Sequence, residues 1–164
     1  MKIRVSLFLV IGCLAAFHTR ATVTSEKELR DGVQFAVGGG TLRIQFWSPE
    51  IVRVTYAKTP EIPALESLSV VGKPEKTRFK LQKKNDADTL VTPNLKVRID
   101  KQTDVVSLLD PAGNVLLQES PNGRKIEPAE VTGHAVSSCA QAFEMGADEG
   151  IYGLGQHQHD VWNY

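Results

Sequence analysis

An alternation of apolar and polar residues with a period of two recurs from Val33 to the end of the chain. Successive side chains of a β-strand point to opposite faces, so this period indicates strands with one buried and one solvated face. Helical periodicity is almost absent, and only residues 25–31 offer a turn of helix. The pattern therefore predicts an all-β fold.

The best-defined pair of strands flanks a short turn at residues 48–50. The strand predicted at residues 41–47 places its apolar side chains on one face and its polar ones on the other. These apolar residues are Leu42, Ile44 and Phe46. Proline at position 49 fixes φ in the turn, and residues 51–56 then alternate again. The two runs predict a β-hairpin.

Further short strands are separated by turn residues. They are predicted near Leu68 to Val70 and Phe79 to Leu81, and at residues 95–100, 104–109, 115–118, 131–136, 141–145 and 151–154. Asp-Pro-Ala-Gly-Asn at residues 110–114 favours a turn within a β-meander, whereas residues 120–128 are polar and predict a loop. Many short strands are typical of two packed sheets, so we expect a β-sandwich.

The N-terminal residues predict a secretory signal. Lys2 and Arg4 precede an apolar run over residues 5–17 that is too short to span a bilayer. Small residues at Thr19 and Ala21 favour cleavage after Ala21. We therefore expect a signal peptide at residues 1–21, one domain at residues 22–164, and export to the periplasm or the medium.

Two cysteines bear on this expectation. Val-Ile-Gly-Cys at residues 10–13 resembles a bacterial lipoprotein box, which would anchor the protein through a lipid on Cys13. We favour this alternative less, because the apolar run continues beyond Cys13. Ordinary cleavage leaves Cys139 alone, so no internal disulfide forms, and we expect a buried, inert thiol there.

The charge balance excludes one class of partner. The chain has 19 basic and 19 acidic residues, with no long block of either sign. A phosphate backbone is bound through a basic patch, and none is evident here. Nucleic acid is therefore not an expected partner.

The C-terminal residues carry a family resemblance. Residues 148–158, Asp-Glu-Gly-Ile-Tyr-Gly-Leu-Gly-Gln-His-Gln, closely resemble the signature that ends the N-terminal domain of glycoside hydrolase family 31. The two runs of the predicted hairpin resemble the opening hairpin of that domain, and residues 95–116 resemble its central meander. Gly155 to Gln158, followed by Asn163 and Tyr164, is more similar to bacterial α-xylosidases than to other α-glucosidases of the family.

This resemblance implies a galactose-mutarotase-like β-sandwich that supports a catalytic (β/α)8 barrel. The family hydrolyses α-glycosides by the retaining route, with two aspartates on barrel strands. No residue of this chain matches either aspartate, so no catalytic residue is assigned and the chain alone is expected to be inactive. The family's sandwich continues beyond the signature, so we expect a sheet that is incomplete at its C-terminal end and has an exposed edge. The chain on its own is therefore expected to be poorly soluble.

The best candidate binding site is the C-terminal segment. Aromatic faces suit the apolar faces of pyranose rings, and amide and imidazole groups hydrogen-bond hydroxyls. We assign Gln156, His157 and Trp162 as candidate substrate-binding residues for an oligosaccharide or α-glycoside. Further aromatic candidates for stacking are Trp47, Tyr152 and Tyr164.

Neither a metal nor a cofactor is predicted. His157 and His159 form a lone His-x-His pair without a second spaced pair, which is more typical of a packed polar segment than of a zinc site. Gly153 and Gly155 lack the third glycine and the helix of a dinucleotide loop. The carboxylates of Glu144, Asp148 and Glu149 suit a solvated turn better than acid/base catalysis.

Two other functions remain open. A stand-alone carbohydrate-binding or structural module would show affinity for an oligosaccharide without the barrel. A mutarotase-like epimerase would share the sandwich, but it needs a general acid and base across a wide cleft and usually a longer chain. The first hypothesis remains an accessory domain of an α-xylosidase or α-glucosidase.

Overall fold

The computed structural model describes residues 22–63 and 69–150, which form eleven β-strands and no helix. The strands are β1 Ser25–Leu29, β2 Gly32–Val37, β3 Gly40–Phe46, β4 Val52–Ala57, β5 Lys80–Lys83, β6 Ala87–Val91, β7 Lys96–Asp100, β8 Val106–Leu109, β9 Val115–Gln118, β10 Lys125–Val131 and β11 His134–Ala140. Nothing in the described part is a helix of the length and hydropathy needed to cross a bilayer. The predicted all-β class is confirmed.

All strand pairs are antiparallel and join strands that are consecutive in sequence. Strands β1 to β4 form one sheet in chain order, β5 to β9 form a second, and β10 and β11 form a separate hairpin. The predicted hairpin is the pair of β3 and β4, in which Ile44 lies opposite Val54. The predicted meander is β7, β8 and β9, with a bulge at Leu108 and Leu109.

The hydrophobic core lies between the two sheets. The first sheet contributes Val33, Phe35, Leu42, Ile44 and Phe46, and the second contributes Leu90, Val97 and Ile99, all fully buried. Alternation places these side chains on the inner face of each sheet. The rings of Phe46 and Phe79 lie 5.5 Å apart between centroids. The two sheets therefore form a β-sandwich.

Residues 25–29 are extended and residues 30–31 form a turn between strands, so the prediction of a helical turn at residues 25–31 is wrong. Strand β1 pairs along its whole length with β2, with Ser25 opposite Ala36 and Leu29 opposite Gly32. One turn of helix fixes several residues for a single hydrogen bond, whereas pairing with β2 satisfies the backbone along the strand. Long-range pairing therefore overrides the weak local preference.

The predictions for residues 120–145 are also corrected. Residues 131–136 are not a strand, because they contain the turn between β10 and β11. Thr132 and Gly133 both have positive φ, 49° and 79°, as a two-residue type I′ hairpin requires. The predicted loop at residues 120–128 includes the start of β10, and residues 141–145 contribute only a bridge between Phe143 and Glu119.

Two smaller predictions differ as well. Leu68 lies outside the described residues, and no strand forms from Val70 until β5 begins at Lys80. Cys139 is exposed, because every residue of β11 is exposed on a hairpin that leaves the sandwich. In the described part of the chain, the expectation of a buried thiol is therefore wrong.

Asp31 ties the turn between β1 and β2 to the outer face of β3. Its carboxylate accepts hydrogen bonds from Arg43 Nη2 at 3.0 and 3.1 Å and from Gln45 Nε2 at 2.6 Å. Partial burial raises the pKa of this carboxyl, but the hydrogen bond from Gln45 and the charge of Arg43 outweigh it, so the pKa is lowered. The ionised form is therefore stabilised by folding.

Replacing Asp31 with Asn should lower the free energy of unfolding by about 0.5–1 kcal/mol near neutral pH. Because the pKa of Asp31 in the folded state lies below its ordinary value of 3.8, its contribution is complete above that pH. It is lost as the pH falls through the folded-state pKa. Urea unfolding of both proteins at neutral and strongly acidic pH measures this, and an equal loss at both would contradict it.

Candidate functional site

A polar pocket opens at one end of the sandwich, between the loop that joins β7 to β8 and the loop that joins β9 to β10. Its volume is about 440 Å³, and its walls include Gln102, Asp104, Asn122 and Lys125. These loops carry polar side chains because they leave the sheets, where the alternating pattern ends. The pocket is therefore defined by loop residues on a rigid β scaffold.

The first loop is held by a side-chain turn. Asp100 Oδ1 accepts hydrogen bonds from the backbone N–H of Gln102 at 3.0 Å and of Thr103 at 2.9 Å, and from Thr103 Oγ1 at 2.9 Å. Partial burial raises the pKa of Asp100, but these hydrogen bonds outweigh it and the pKa is lowered. Asp104 then adopts a left-handed conformation, with φ of 53°, that aspartate tolerates well.

Arg124 is the centre of a charged cluster beside the pocket, which we call the Arg124 cluster: Arg124, Glu119, Asp104, Gln141 and Tyr56. Arg124 Nη2 lies 2.5 Å from Glu119 Oε2 and donates to the backbone carbonyl of Asp104 at 2.9 Å. Its Nη1 lies 3.4 Å from Asp104 Oδ1. The guanidinium carbon is 5.2 Å from the centroid of the Tyr56 ring.

Glu119 is the most buried member of the cluster, with 6% of its surface exposed. Besides Arg124, its carboxylate accepts hydrogen bonds from the Val106 backbone N–H at 3.0 Å and from Gln141 Nε2 at 3.2 Å. A buried carboxylate must be paired and hydrogen-bonded in this way to remain charged. Glu119 therefore joins β8, the end of β9 and the base of the β10–β11 hairpin.

The pKa of Asp104 moves in the opposite direction to the pKa values of Asp31 and Asp100, which are lowered. Burial raises the pKa of this group, the charge of Arg124 lowers it, and the neighbouring Glu119 raises it further. The net effect is a raised pKa, so the protein environment disfavours the charged form. At 3.4 Å from the guanidinium, against 2.5 Å for Glu119, Asp104 is also the more distant carboxylate partner of Arg124.

The Arg124 cluster does not have the arrangement that glycoside hydrolysis requires. A retaining glycosidase holds a nucleophilic carboxylate and an acid/base carboxyl on opposite sides of one bond. Here Asp104 and Glu119 both pair with one guanidinium, and Glu119 makes two more hydrogen bonds. We interpret the cluster as a structural contact that holds elements of the fold together. No described residue is assigned a catalytic role.

Trp47 lies in a second depression, directly after β3. The indole is half-buried beside Ile51, Val70 and Lys73. Its Nε1 is buried and makes no hydrogen bond with any described residue. Trp47 is therefore not part of the sandwich core, and it stays a candidate for contact with a ring-shaped ligand.

The candidate binding residues Gln156, His157 and Trp162 lie outside the described residues, so their assignment stays a prediction. The same holds for the signal peptide at residues 1–21 and the possible lipid site at Cys13. Within residues 22–63 and 69–150, no group of three His, Cys, Asp or Glu side chains is arranged to hold a metal ion. Glu144, Asp148 and Glu149 are exposed near a turn, and Glu149 Oε2 accepts the Gly146 N–H at 2.7 Å.

The Arg124 cluster was not found from the sequence, although one signal for it exists. Glu119 continues the face of β9 that carries Leu117, so a carboxylate occupies a position where the alternation predicts an apolar residue. A charge on the buried face of a strand indicates a buried partner. Its partner Arg124 lies in a polar loop and has no comparable signal.

The described residues form an antiparallel β-sandwich with the Arg124 cluster at one end. The model of the glycosyl hydrolase 31 N-terminal galactose mutarotase-like domain matches residues 41–161. The chain therefore belongs to this family, as the resemblance of residues 148–158 implied. Because the family is an N-terminal domain, the matched residues correspond to an accessory part of a glycosidase and not to its catalytic barrel.

Two solved structures are similar to this chain. A GH31 α-xylosidase from Xanthomonas citri matches 80% of the chain with a TM-score of 0.70 and 29% identity. A GH31 α-xylosidase from a soil metagenome, complexed with xylose, matches 85% with a TM-score of 0.65 and 22% identity, which supports the fold alone. The chain spans only 15% and 23% of these two proteins.

Proposed function

We propose that this chain is the N-terminal accessory domain of an exported α-glycosidase that hydrolyses α-xylosidic or α-glucosidic bonds by the retaining route. The observation that carries the proposal is the 29% identity to an α-xylosidase over 80% of the chain. The domain supports a catalytic (β/α)8 barrel and helps to bind carbohydrate. Fold alone would not define an activity, so the proposal rests on the family match and on this identity.

The test begins with the nucleotide sequence beyond codon 164. We expect an open frame into a barrel with two aspartates suited to the retaining route. The protein from the complete frame should release nitrophenol from a nitrophenyl α-xyloside or α-glucoside, and residues 22–164 alone should not. A complete protein that cleaves neither substrate would contradict the proposal.

Within the complete enzyme, we propose that Gln156, His157 and Trp162 contact the substrate. An indole face packs on a pyranose ring, and imidazole and amide groups hydrogen-bond its hydroxyls. Replacing Trp162 or His157 with Ala should raise KM about tenfold, equivalent to about 1.4 kcal/mol of binding energy. The control is Val71→Ala, because Val71 is 99% exposed. Unchanged kinetic parameters in both variants would remove the binding role.

A stand-alone carbohydrate-binding module is the second candidate, favoured by the Trp47 depression. The half-buried indole beside Lys73 offers a ring face and a neighbouring ammonium group to a sugar. Calorimetric titration of the isolated chain with xylo- and gluco-oligosaccharides discriminates the two functions. Binding that is lost in Trp47→Ala, in a protein from a frame that stops at codon 164, would favour the module.

We also propose export, with cleavage after Ala21. The basic start, the apolar run and the small residues at Thr19 and Ala21 support it. N-terminal sequencing of the protein recovered from the native host should begin at Thr22. A mature protein that begins with a lipidated Cys13 would instead favour the anchored alternative.

A further inference from the structure

A largely apolar groove lies between the sandwich and the β10–β11 hairpin, and Tyr56, Glu119, Arg124 and Gln141 of the Arg124 cluster also line it. It has a volume of about 550 Å³. Its apolar walls are formed by Val54 of β4, Leu108 and Leu117 of the second sheet, Ile126 of β10, and Phe143. We call this surface the apolar groove. Cys139 of β11 also lines it.

The apolar side chains that line the groove are more exposed than is usual for a folded domain. Val54 is 38% exposed, Leu117 40% and Phe143 48%. Among the described residues, no third strand pairs with the β10–β11 hairpin beside it, and a two-stranded hairpin alone is marginally stable in water. Contiguous exposed apolar surface of this kind normally indicates a binding surface. The groove and the hairpin therefore both need an additional packing partner.

The chain itself provides a partner close by. Phe143 lies in the groove wall, and Gly150 follows it after about seven positions, at most about 25 Å of extended chain. The next residues are Ile-Tyr-Gly-Leu at 151–154, which carry two aliphatic side chains and one aromatic side chain. A tethered segment has an effective concentration in the millimolar range, well above that of a separate molecule.

The family match also assigns this segment to the same folding unit as the groove. The matched region runs from residue 41 to residue 161, so it includes residues 151–154 as well as every wall of the groove. A domain buries its apolar side chains in a core shared by its own elements. We propose that residues 151–154 bind in the apolar groove and cover Cys139. This inference is independent of the proposed enzymatic activity.

Cys139 reports directly on this contact. In residues 1–164 with Cys13→Ser, Cys139 is the single thiol, because this sequence has two cysteines. Its rate of reaction with a small aromatic disulfide is measured under native conditions. The reference is Val71→Cys in a background with both native cysteines replaced by Ser, since Val71 is 99% exposed. We expect Cys139 to react about tenfold more slowly than the reference thiol.

Variants identify what covers the thiol. Ile151→Asp with Leu154→Asp should restore fast reaction of Cys139, because two carboxylates oppose burial in an apolar groove. The matched control Asn163→Asp, which lies outside the proposed contact, should leave Cys139 protected. Circular dichroism of each variant shows whether the sandwich is retained. A Leu154→Cys variant should also form a disulfide with Cys139 under mild oxidation in buffer but not in urea.

Two results would overturn the inference. Equal rates for Cys139 and the reference thiol in the unmutated segment would show that nothing covers the groove, whatever the variants do. Protection that disappears on dilution would show that a second copy of the chain covers it, since an intrachain contact does not depend on concentration. Protection that persists on dilution, is lost in the double Asp variant and is kept in Asn163→Asp would support the proposal.

Discussion

Replacing Arg124 with Met should lower the free energy of unfolding by about 3–5 kcal/mol. The substitution leaves the carboxylate of Glu119, which is 6% exposed, without its cationic partner. It also removes the two contacts to Asp104 and the contact with the Tyr56 ring. Met retains much of the length of the Arg stem, so the loss reports mainly on charge and hydrogen bonding. Urea unfolding at neutral pH measures it.

The control for this prediction is Arg98→Met. Arg98 also pairs with two aspartates, Asp86 at 3.3 Å and Asp100 at 3.8 Å, but its side chain is 40% exposed and that of Asp86 is 70% exposed. Water screens such pairs, so we expect a loss of about 0–1 kcal/mol. If Arg98→Met costs as much as Arg124→Met, burial of the cluster is not the source of its stability.

Local sequence patterns were sufficient to predict the central strands of both sheets. Leu42, Ile44 and Phe46 are all fully buried, as the alternation along β3 predicts. The turn at residues 110–114 follows from Asp110, whose carboxylate accepts the N–H groups of Gly113 at 2.6 Å and Asn114 at 2.8 Å. These features depend on neighbouring residues, so the sequence specifies them directly.

The outer elements depend on contacts that are distant in sequence. Strand β1 is set by its pairing with β2, and the β10–β11 hairpin begins in a segment whose polar residues suggested a loop. Pro128 lies within β10, and both strands of a two-stranded sheet are edges, where proline is tolerated. A local sequence pattern does not indicate whether a strand lies at the edge or in the centre of a sheet.

The Arg124 cluster was not predictable for the same reason. Arg124 is five positions from Glu119 and twenty from Asp104, and the three meet only because two loops converge at one end of the sandwich. Glu144, Asp148 and Glu149, by contrast, are close in sequence and lie on an exposed segment, in agreement with the solvated turn predicted for them.

The last prediction tests the sandwich core itself. Leu90→Ala should lower the free energy of unfolding by about 2–5 kcal/mol, because Leu90 is fully buried between the sheets and the vacated space cannot collapse completely. The matched control is Leu116→Ala on β9, where the side chain is 57% exposed and the cost should be within about 0.5 kcal/mol. Both are measured by urea unfolding of the complete chain. Equal costs would mean that the second sheet does not pack its inner face on the first, and the sandwich would then be the wrong description of this fold.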